Sequence, residues 1–231
     1  KTKKFEKNLG RLLSGMLNNM ESRGPDSAGF AIYKDEGKKV YKFSLCINDL
    51  NFNNFKKEIS KKIKKAKFIQ ISDHVILKTF EKPNKVIKII NSTFPKVSIV
   101  GYGRSIEIFK QVGNPKDVVK KFKLDNFSGT HGIGHTRMAT ESAITTDGSH
   151  PYSTGEDECL VHNGSLSNHN NLRRALTKKG NTFHSENDTE VAAGYVSHSL
   201  SNNKSLKDTL TSGLKDLDGF YTFITGTRKG F

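Results

Sequence analysis

From Gly129 to Glu190 the chain repeatedly sets a short apolar, strand-like run against a patch of small polar residues. The three patches are His135-Thr136-Arg137-Met138-Ala139-Thr140, His162-Asn163-Gly164-Ser165-Leu166-Ser167-Asn168 and Ser185-Glu186-Asn187-Asp188-Thr189-Glu190. Such runs read as strands of a packed sheet, and polar groups then collect where strands end and helices begin. A length of 231 residues suits one large domain or two small ones and is ample for a buried core.

The flanking segments supply the helices. Leu9, Leu12, Leu13, Met16, Leu17 and Met20 recur at three and four, which predicts a helix over Asn8–Glu21 with one apolar stripe. Ala28–Lys34 and Lys39–Ile47 read as strands of a hairpin turning at Asp35-Glu36-Gly37. Phe52–Lys65 reads as a helix. Phe68–Phe80 and Lys85–Phe94 read as strands parted by Lys82-Pro83-Asn84. Val97–Tyr102 reads as a short strand and Pro115–Phe122 as a helix. Thr130–Thr136, Glu158–His162 and Phe220–Thr225 read as strands. Helices are expected over Ser167–Lys179, Asn187–Leu200 and Ser205–Leu217, with Ser167 and Ser205 as caps and Asn187 with Glu190 at capping-box spacing. The texture of Asp49–Asp125 differs from the rest, so residues 49–125 read as an α+β insertion.

Charge is divided as unevenly as texture. Residues 1–128 hold 28 Lys/Arg against 12 Asp/Glu, and residues 129–231 hold 10 against 11. The excess is densest in Lys56–Lys67, but those lysines are not interleaved with base-stacking aromatics, so nucleic acid is not the expected partner. No run approaches the ~20 apolar residues of a membrane span, and no secretory signal opens the chain. Two cysteines, Cys46 and Cys159, exclude a disulfide framework and a four-cysteine metal site. The expected compartment is the reducing cytoplasm.

Other constellations carry less. Gly101-Tyr102-Gly103 lacks the third glycine of a dinucleotide loop, since Ile106 stands there. His131 and His135 lie four apart in a strand-like segment, ~13 Å along the axis, too far for one ion. Cys46 and Cys159 sit in apolar strands and read as small core residues rather than nucleophiles.

The three patches carry more. An arginine at a strand end, Arg137, can grip a carboxylate through two parallel hydrogen bonds. Asn163-Gly164 offers a side-chain amide and an unhindered backbone N–H, the two donors an oxyanion needs. Asp188 at a helix start can hold an ammonium group. Together they describe a site for an α-amino acid whose side-chain carbonyl is attacked. Taken singly, Arg137 also reads as a structural ion-pair residue and Asp188 as a helix cap.

These blocks resemble the class II glutamine amidotransferases, which are N-terminal-nucleophile hydrolases. Arg23-Gly24-Pro25-Asp26-Ser27-Ala28-Gly29 is similar to the family's Arg-Gly-x-Asp-Ser-Ala-Gly turn. Gly134–Thr140 is similar to its Gly-His-Thr-Arg-x-Ala-Thr strand end, and His162-Asn163-Gly164 and Asn187-Asp188-Thr189-Glu190 match the next two blocks in order. The strings Ile99–Gly113, Thr136–His150 and Val161–Asn170 resemble one branch, the stand-alone glutaminase subunits of glutamate-synthase-like and N-methylglutamate-synthase-like enzymes.

The resemblance implies a four-layer αββα sandwich with the inserted α+β segment. It implies hydrolysis of L-glutamine to glutamate and ammonia, with the ammonia passed to a partner synthase, flavin-dependent enzymes among the candidates. No cofactor and no metal are implied. Arg137 and Thr140 would bind the α-carboxylate, Asp188 the α-ammonium, Asn163 and Gly164 the oxyanion, and Arg23 would order the nucleophile's surroundings. Met138 and Glu141 depart from the tryptophan and histidine of sugar-phosphate-making members, which leaves the ammonia acceptor open. The family's nucleophile is an N-terminal cysteine, whereas this chain starts at Lys1. The expectation is therefore a domain over 1–231 that is incomplete at both ends and inactive as it stands. The other reading is an inactive subunit that keeps the fold as a scaffold for a partner.

Overall fold

Every residue of Ser27–Tyr33 is buried, so this strand, β1, must have a layer on each side. A computed structural model describes residues 3–35, 37, 39–139 and 143–231 and shows what those layers are. Helices α1 (Lys3–Glu6) and α2 (Leu9–Asn19) precede β1, and β2 (Tyr41–Cys46) follows it. Next come α3 (Phe52–Lys62), β3 (Lys67–Ile71), β4 (His74–Thr79), α4 (Pro83–Thr93), β5 (Ser98–Gly103), β6 (Ile106–Val112) and α5 (Pro115–Phe122). The remaining elements are β7 (His131–Arg137), β8 (Tyr152–Gly155), β9 (Glu158–Leu166), α6 (His169–Lys178), α7 (Asp188–Ser201), α8 (Leu206–Asp216) and β10 (Gly219–Thr227).

Two three-stranded antiparallel sheets, β6-β1-β7 and β10-β9-β8, stack face to face. The alternation of strand side chains decides which core each residue joins. Phe30 and Ile32 of β1 pack outward with Leu13 and Leu17 of α2 and with Phe122 of α5. Ala31 and Tyr33 point the other way and meet Ile133, Cys159 and Val161 between the sheets. Leu160 and Leu166 of β9 face Ala192 and Val196 of α7. Each large apolar side chain so enclosed contributes about 1.5–3 kcal/mol. The order helix, sheet, sheet, helix is the expected αββα sandwich.

A third sheet, β3-β4-β2-β5, has its own core, in which Phe43, Leu45, Val75 and Leu77 pack on Phe55 and Ile59 of α3 and Val86 and Ile90 of α4. It takes most of its strands from residues 49–125, whereas β6 and α5 from that stretch join the β1 layer. The lysines of Lys56–Lys67 are exposed.

Several local expectations are corrected. β1 and β2 form no hairpin: β1 pairs with β6 and β7, and β2 with β4 and β5. Phe68–Phe80 is two strands, β3 and β4, which form the hairpin instead. Lys85–Thr93 belongs to helix α4, and Phe94 is its C-cap. Isoleucine favours strands, but Pro83 is preset for a first helical turn and Val86 and Ile90, four apart, share a buried face. On α2 only Leu13 and Leu17 of the apolar stripe are buried among the leucines and methionines, while Leu12, Met16 and Met20 are exposed. Ser167 does not cap α6, which starts at His169 after Asn168. Asn187 does cap α7, accepting from Thr189 N at 2.8 Å. Glu190 does not complete the box, because its carboxylate accepts from the backbone N–H groups of His184 and Ser185. Strands β6 and β8 had no counterpart in the sequence reading.

Candidate active site

The turn before β1 and the end of β7 are built into one another. Pro25 bridges to Arg137, and the Asp26 N–H donates to the Arg137 carbonyl at 3.1 Å. The Asp26 carboxylate accepts from the Ala139 N–H at 2.7 Å, so one residue holds the backbone on both sides of Met138. Gly24 makes this approach possible, since a Cβ there would run into the Thr136 backbone. Arg137 is buried at the exit of β7, and its guanidinium donates to the Ala143 carbonyl at 3.5 Å. Arg23 stands exposed at the end of the 3₁₀ turn Glu21–Arg23.

Asn163 and Gly164 lie inside β9 rather than at its end, opposite Thr222 and Tyr221 of β10. Both are exposed. Gly164 has φ +132°, and a Cβ on it would collide with the Phe220 carbonyl oxygen. Only glycine lets β10 pass this close while the strand continues. Asp188 opens α7, where the helix dipole favours a carboxylate. Its Oδ2 accepts from the Leu166 N–H at 2.8 Å, which ties the helix start to the end of β9.

Three histidines, His150 and His162 buried and His135 half-buried, lie between these elements. His135 Nε2 donates to the His162 carbonyl at 3.0 Å, and its ring stacks on His150 with centroids 4.1 Å apart. His150 Nε2 and His162 Nδ1 both reach the Thr189 hydroxyl, at 3.0 and 2.8 Å. Burial lowers all three: His135 to about 4, His150 well below its ordinary value, and His162 despite the opposing pull of Asp188. The network is therefore neutral at pH 7.

The segment that carries His150 is fastened from two sides. Lys110 of β6 donates to the carbonyls of Asp147 and Ser149 at 3.0 and 2.8 Å and lies over the Tyr152 ring. Burial pushes its ammonium down to about 8. Asn187 Nδ2 donates to the Gly148 carbonyl at 3.0 Å.

One cavity of about 320 Å³ results, at the lower end of the roughly 300–1,000 Å³ of small-molecule sites. Arg23, Arg137, Asn163, Gly164 and Asp188 all line it, brought from four separate segments. Thr140 falls outside the described residues, as does Glu141. Residues lining the cavity to which the sequence assigned no role in the site include His135, His150, His162 and Thr189. Three of these four lie within the quoted blocks. His150 closes the string Thr136–His150, and the fold brings it into the cavity.

Neither cysteine lines this cavity. Cys159 is buried with its Sγ 3.4 Å from the Tyr33 hydroxyl, and burial pushes both thiols up to about 11. Among the described residues one group, Cys46, Asp73 and His74, brings metal-ligand side chains together. Its carboxylate is already held by Lys121 and Gln111, at 2.9 and 2.6 Å. No helix among the described residues is long and apolar enough to cross a membrane.

Comparison with known proteins bears on the family and the fold. Residues 125–224 match the model of the glutamine amidotransferase domain. The chain is 47% identical to the glutamine amidotransferase-like protein GlxB of Rhizobium meliloti (strain 1021), across 100% of this chain and 78% of that protein. It is 33% identical to a glutamine–fructose-6-phosphate aminotransferase of Methanococcus maripaludis, over 52% of this chain and 21% of the relative. Among solved structures it resembles the allosteric regulatory enzyme of purine biosynthesis, with a TM-score of 0.59 at 19% identity, covering 96% of this chain. It also resembles the glutamine phosphoribosylpyrophosphate amidotransferase of B. subtilis, with a TM-score of 0.57. It spans 34% of each of those two chains. At such identity the likeness speaks for the fold alone.

Proposed function

Because the chain belongs to the class II glutamine amidotransferase family, we propose that it binds L-glutamine in the cavity between β7, β9 and α7 and releases its amide nitrogen as ammonia for a partner synthase. The reading is supported above all by one observation: an arginine, a carboxylate and an Asn-Gly pair from three separate elements line a single cavity of about 320 Å³. In this reading Arg137, with Thr140 beside it, takes the α-carboxylate and Asp188 the α-ammonium. Fixing both ends of the amino acid leaves its side-chain amide at Asn163 and Gly164.

The nucleophile is the thiol of an N-terminal cysteine, as in the family, with Arg23 ordering its surroundings. The free α-amine of such a residue, with a pKa near ~8, takes the thiol proton. The thiolate adds to the amide carbon, and the negative charge on oxygen meets Asn163 and Gly164. Losing one such donor costs about 10²–10³ in rate. The C–N bond then breaks, ammonia leaves with the transferred proton, and water cleaves the glutamyl thioester to glutamate and thiol. The acceptor of the ammonia is a glutamate-synthase-like or N-methylglutamate-synthase-like subunit in the cytoplasm.

The test is glutamate release from glutamine by the full-length protein. Arg137→Lys keeps the charge and loses the planar fork, so we expect KM for glutamine to rise about tenfold or more. A parental KM would remove Arg137 from the substrate. Residues 1–231 by themselves should release no glutamate. No release by the full-length protein would favour a scaffold that keeps the fold.

A further inference from the structure

We propose that the Thr189 hydroxyl is a positioning device that holds His162 away from Asp188 and so keeps that carboxylate available to an ammonium group. The proposal rests on the reading of Asp188 as the glutamine-binding carboxylate.

The argument begins with proton counting. Thr189 Oγ1 has one proton and three polar neighbours: His162 Nδ1 at 2.8 Å, His150 Nε2 at 3.0 Å and Asp188 Oδ1 at 3.4 Å. An ionised carboxylate cannot donate, so the hydroxyl proton satisfies Asp188 only by pointing at it. Both imidazoles must then donate to Oγ1, which fixes His150 as the Nε2–H tautomer and His162 as the Nδ1–H tautomer. Among the described residues, the opposite nitrogens, His150 Nδ1 and His162 Nε2, are buried without partners. In this arrangement they carry only lone pairs. In either alternative, where the hydroxyl donates to a histidine, that ring's proton would sit on one of those nitrogens as an orphaned buried N–H, the rarer and costlier defect.

The geometry gives this arrangement a consequence. His162 Nδ1 lies 3.7 Å from Asp188 Oδ1 but 2.8 Å from the hydroxyl. Without the hydroxyl, the Nδ1–H of His162 has Asp188 as its nearest acceptor among these groups. A direct pair would favour protonated His162 and occupy the oxygen that the α-ammonium needs. The other charged and titratable groups near the network are Arg137 and His135 of β7, Lys110 of β6, Tyr152 of β8 against His150 and Tyr221 of β10 against His162. The two cations oppose any further positive charge on the rings. Asp188 is thus the group that would stabilise a protonated His162, and Thr189 stands between them.

Two measurements on the full-length protein test this. The first is ¹⁵N NMR of the imidazoles, which needs no turnover. His162 should appear as Nδ1–H and His150 as Nε2–H, both neutral at pH 7, and Thr189→Val should move the titration of His162 upward. The reverse tautomers, or an unmoved titration in a folded Thr189→Val, overturn the proposal. The second is kinetic. Thr189→Val should raise KM for glutamine about tenfold while kcat changes less than about threefold, the pattern of lost ground-state binding. Thr189→Ser, which keeps the hydroxyl, should restore KM to within about threefold. Should the valine variant fail to fold, the parent tautomers and the serine variant decide. A silent parent enzyme overturns the glutamine reading itself, whereas an active parent matched in KM by Thr189→Val overturns only the positioning role.

Discussion

The backbone N–H of Asp26 donates to the carbonyl of Arg137 at 3.1 Å, while the Asp26 carboxylate takes the N–H of Ala139 at 2.7 Å. The turn that opens β1 therefore fixes where β7 releases its arginine. Among the described residues, the aspartate of Arg23-Gly24-Pro25-Asp26-Ser27 touches no other candidate substrate group. Its work is on the backbone that carries one.

Removing that carboxylate leaves the Ala139 N–H without its partner and loosens the exit of β7. Asp26→Ala should cost about 1–3 kcal/mol in stability and raise KM for glutamine about tenfold. Asp26→Asn keeps an acceptor and should fall between variant and parent. Chemical denaturation and glutamine kinetics on the same preparations check both effects. An alanine variant equal to the parent in both would show that the clamp carries nothing.

Gly164 offers a sharper test of β9. Its φ of +132° is strained for any L side chain, and a Cβ would meet the Phe220 carbonyl oxygen. Gly164→Ala should therefore push β10 off β9, cost more than about 3 kcal/mol and abolish hydrolysis. Thermal unfolding reads the first effect and glutamate release the second. A variant with parental stability would mean that β10 yields there at no cost.

How much of this was legible in the sequence follows from the range of each interaction. Pro115–Phe122 matches α5 residue for residue because its proline start and apolar face are local. The strand β1 was legible, but not its partners: Asp35-Glu36-Gly37 reads as a hairpin turn, and burial on both faces sends β1 to β6 and β7 instead. The helix α4 was misread because the preference of isoleucine for strands is weaker than the burial of Val86 and Ile90 on the third sheet.

The candidate site divides in the same way. Arg137, Asn163, Gly164 and Asp188 stand out because their side chains and spacing suggest a chemistry by themselves. Lys110, His150 and Thr189 do not, since what they do depends on atoms 27 to 39 residues away in sequence: Lys110 on Asp147 and Ser149, Thr189 on His162 and His150. Such contacts have no periodicity and leave no signal in a single sequence.

Cys159 tests the separation of core from site. It is fully buried between the sheets, with the Tyr33 hydroxyl 3.4 Å away and the Gly226 backbone as polar contacts. Cys159→Ala leaves that hydroxyl buried without the thiol and should cost about 1–3 kcal/mol. Because the thiol lines no part of the cavity, most glutaminase activity should survive at temperatures where the variant stays folded. A folded but inactive variant would make Cys159 part of the chemistry.

The histidines predict how the fold responds to acid. His135 is depressed by burial from its ordinary 6.5 to about 4, and His150 moves in the same direction. In the unfolded chain both bind a proton near pH 6.5, while in the folded protein they stay neutral. The unfolded state thus holds more protons between these values, and stability falls as pH drops through that window. For His135 a displacement of this size is on the order of 3 kcal/mol, complete only below about pH 4. Lys110 has the same sign in a different window: its penalty is present below about 8 and is relieved as pH rises toward 10.5. Between pH 7.5 and 5 the lysine is already protonated in both states, so the slope there belongs to the histidines. Denaturant midpoints at pH 7.5, 6 and 5 should fall steadily. His135→Gln, which cannot titrate, should flatten that slope even if it lowers stability at pH 7.5. An unchanged slope in His135→Gln would mean that His135 is protonated as easily in the folded protein as in the unfolded chain.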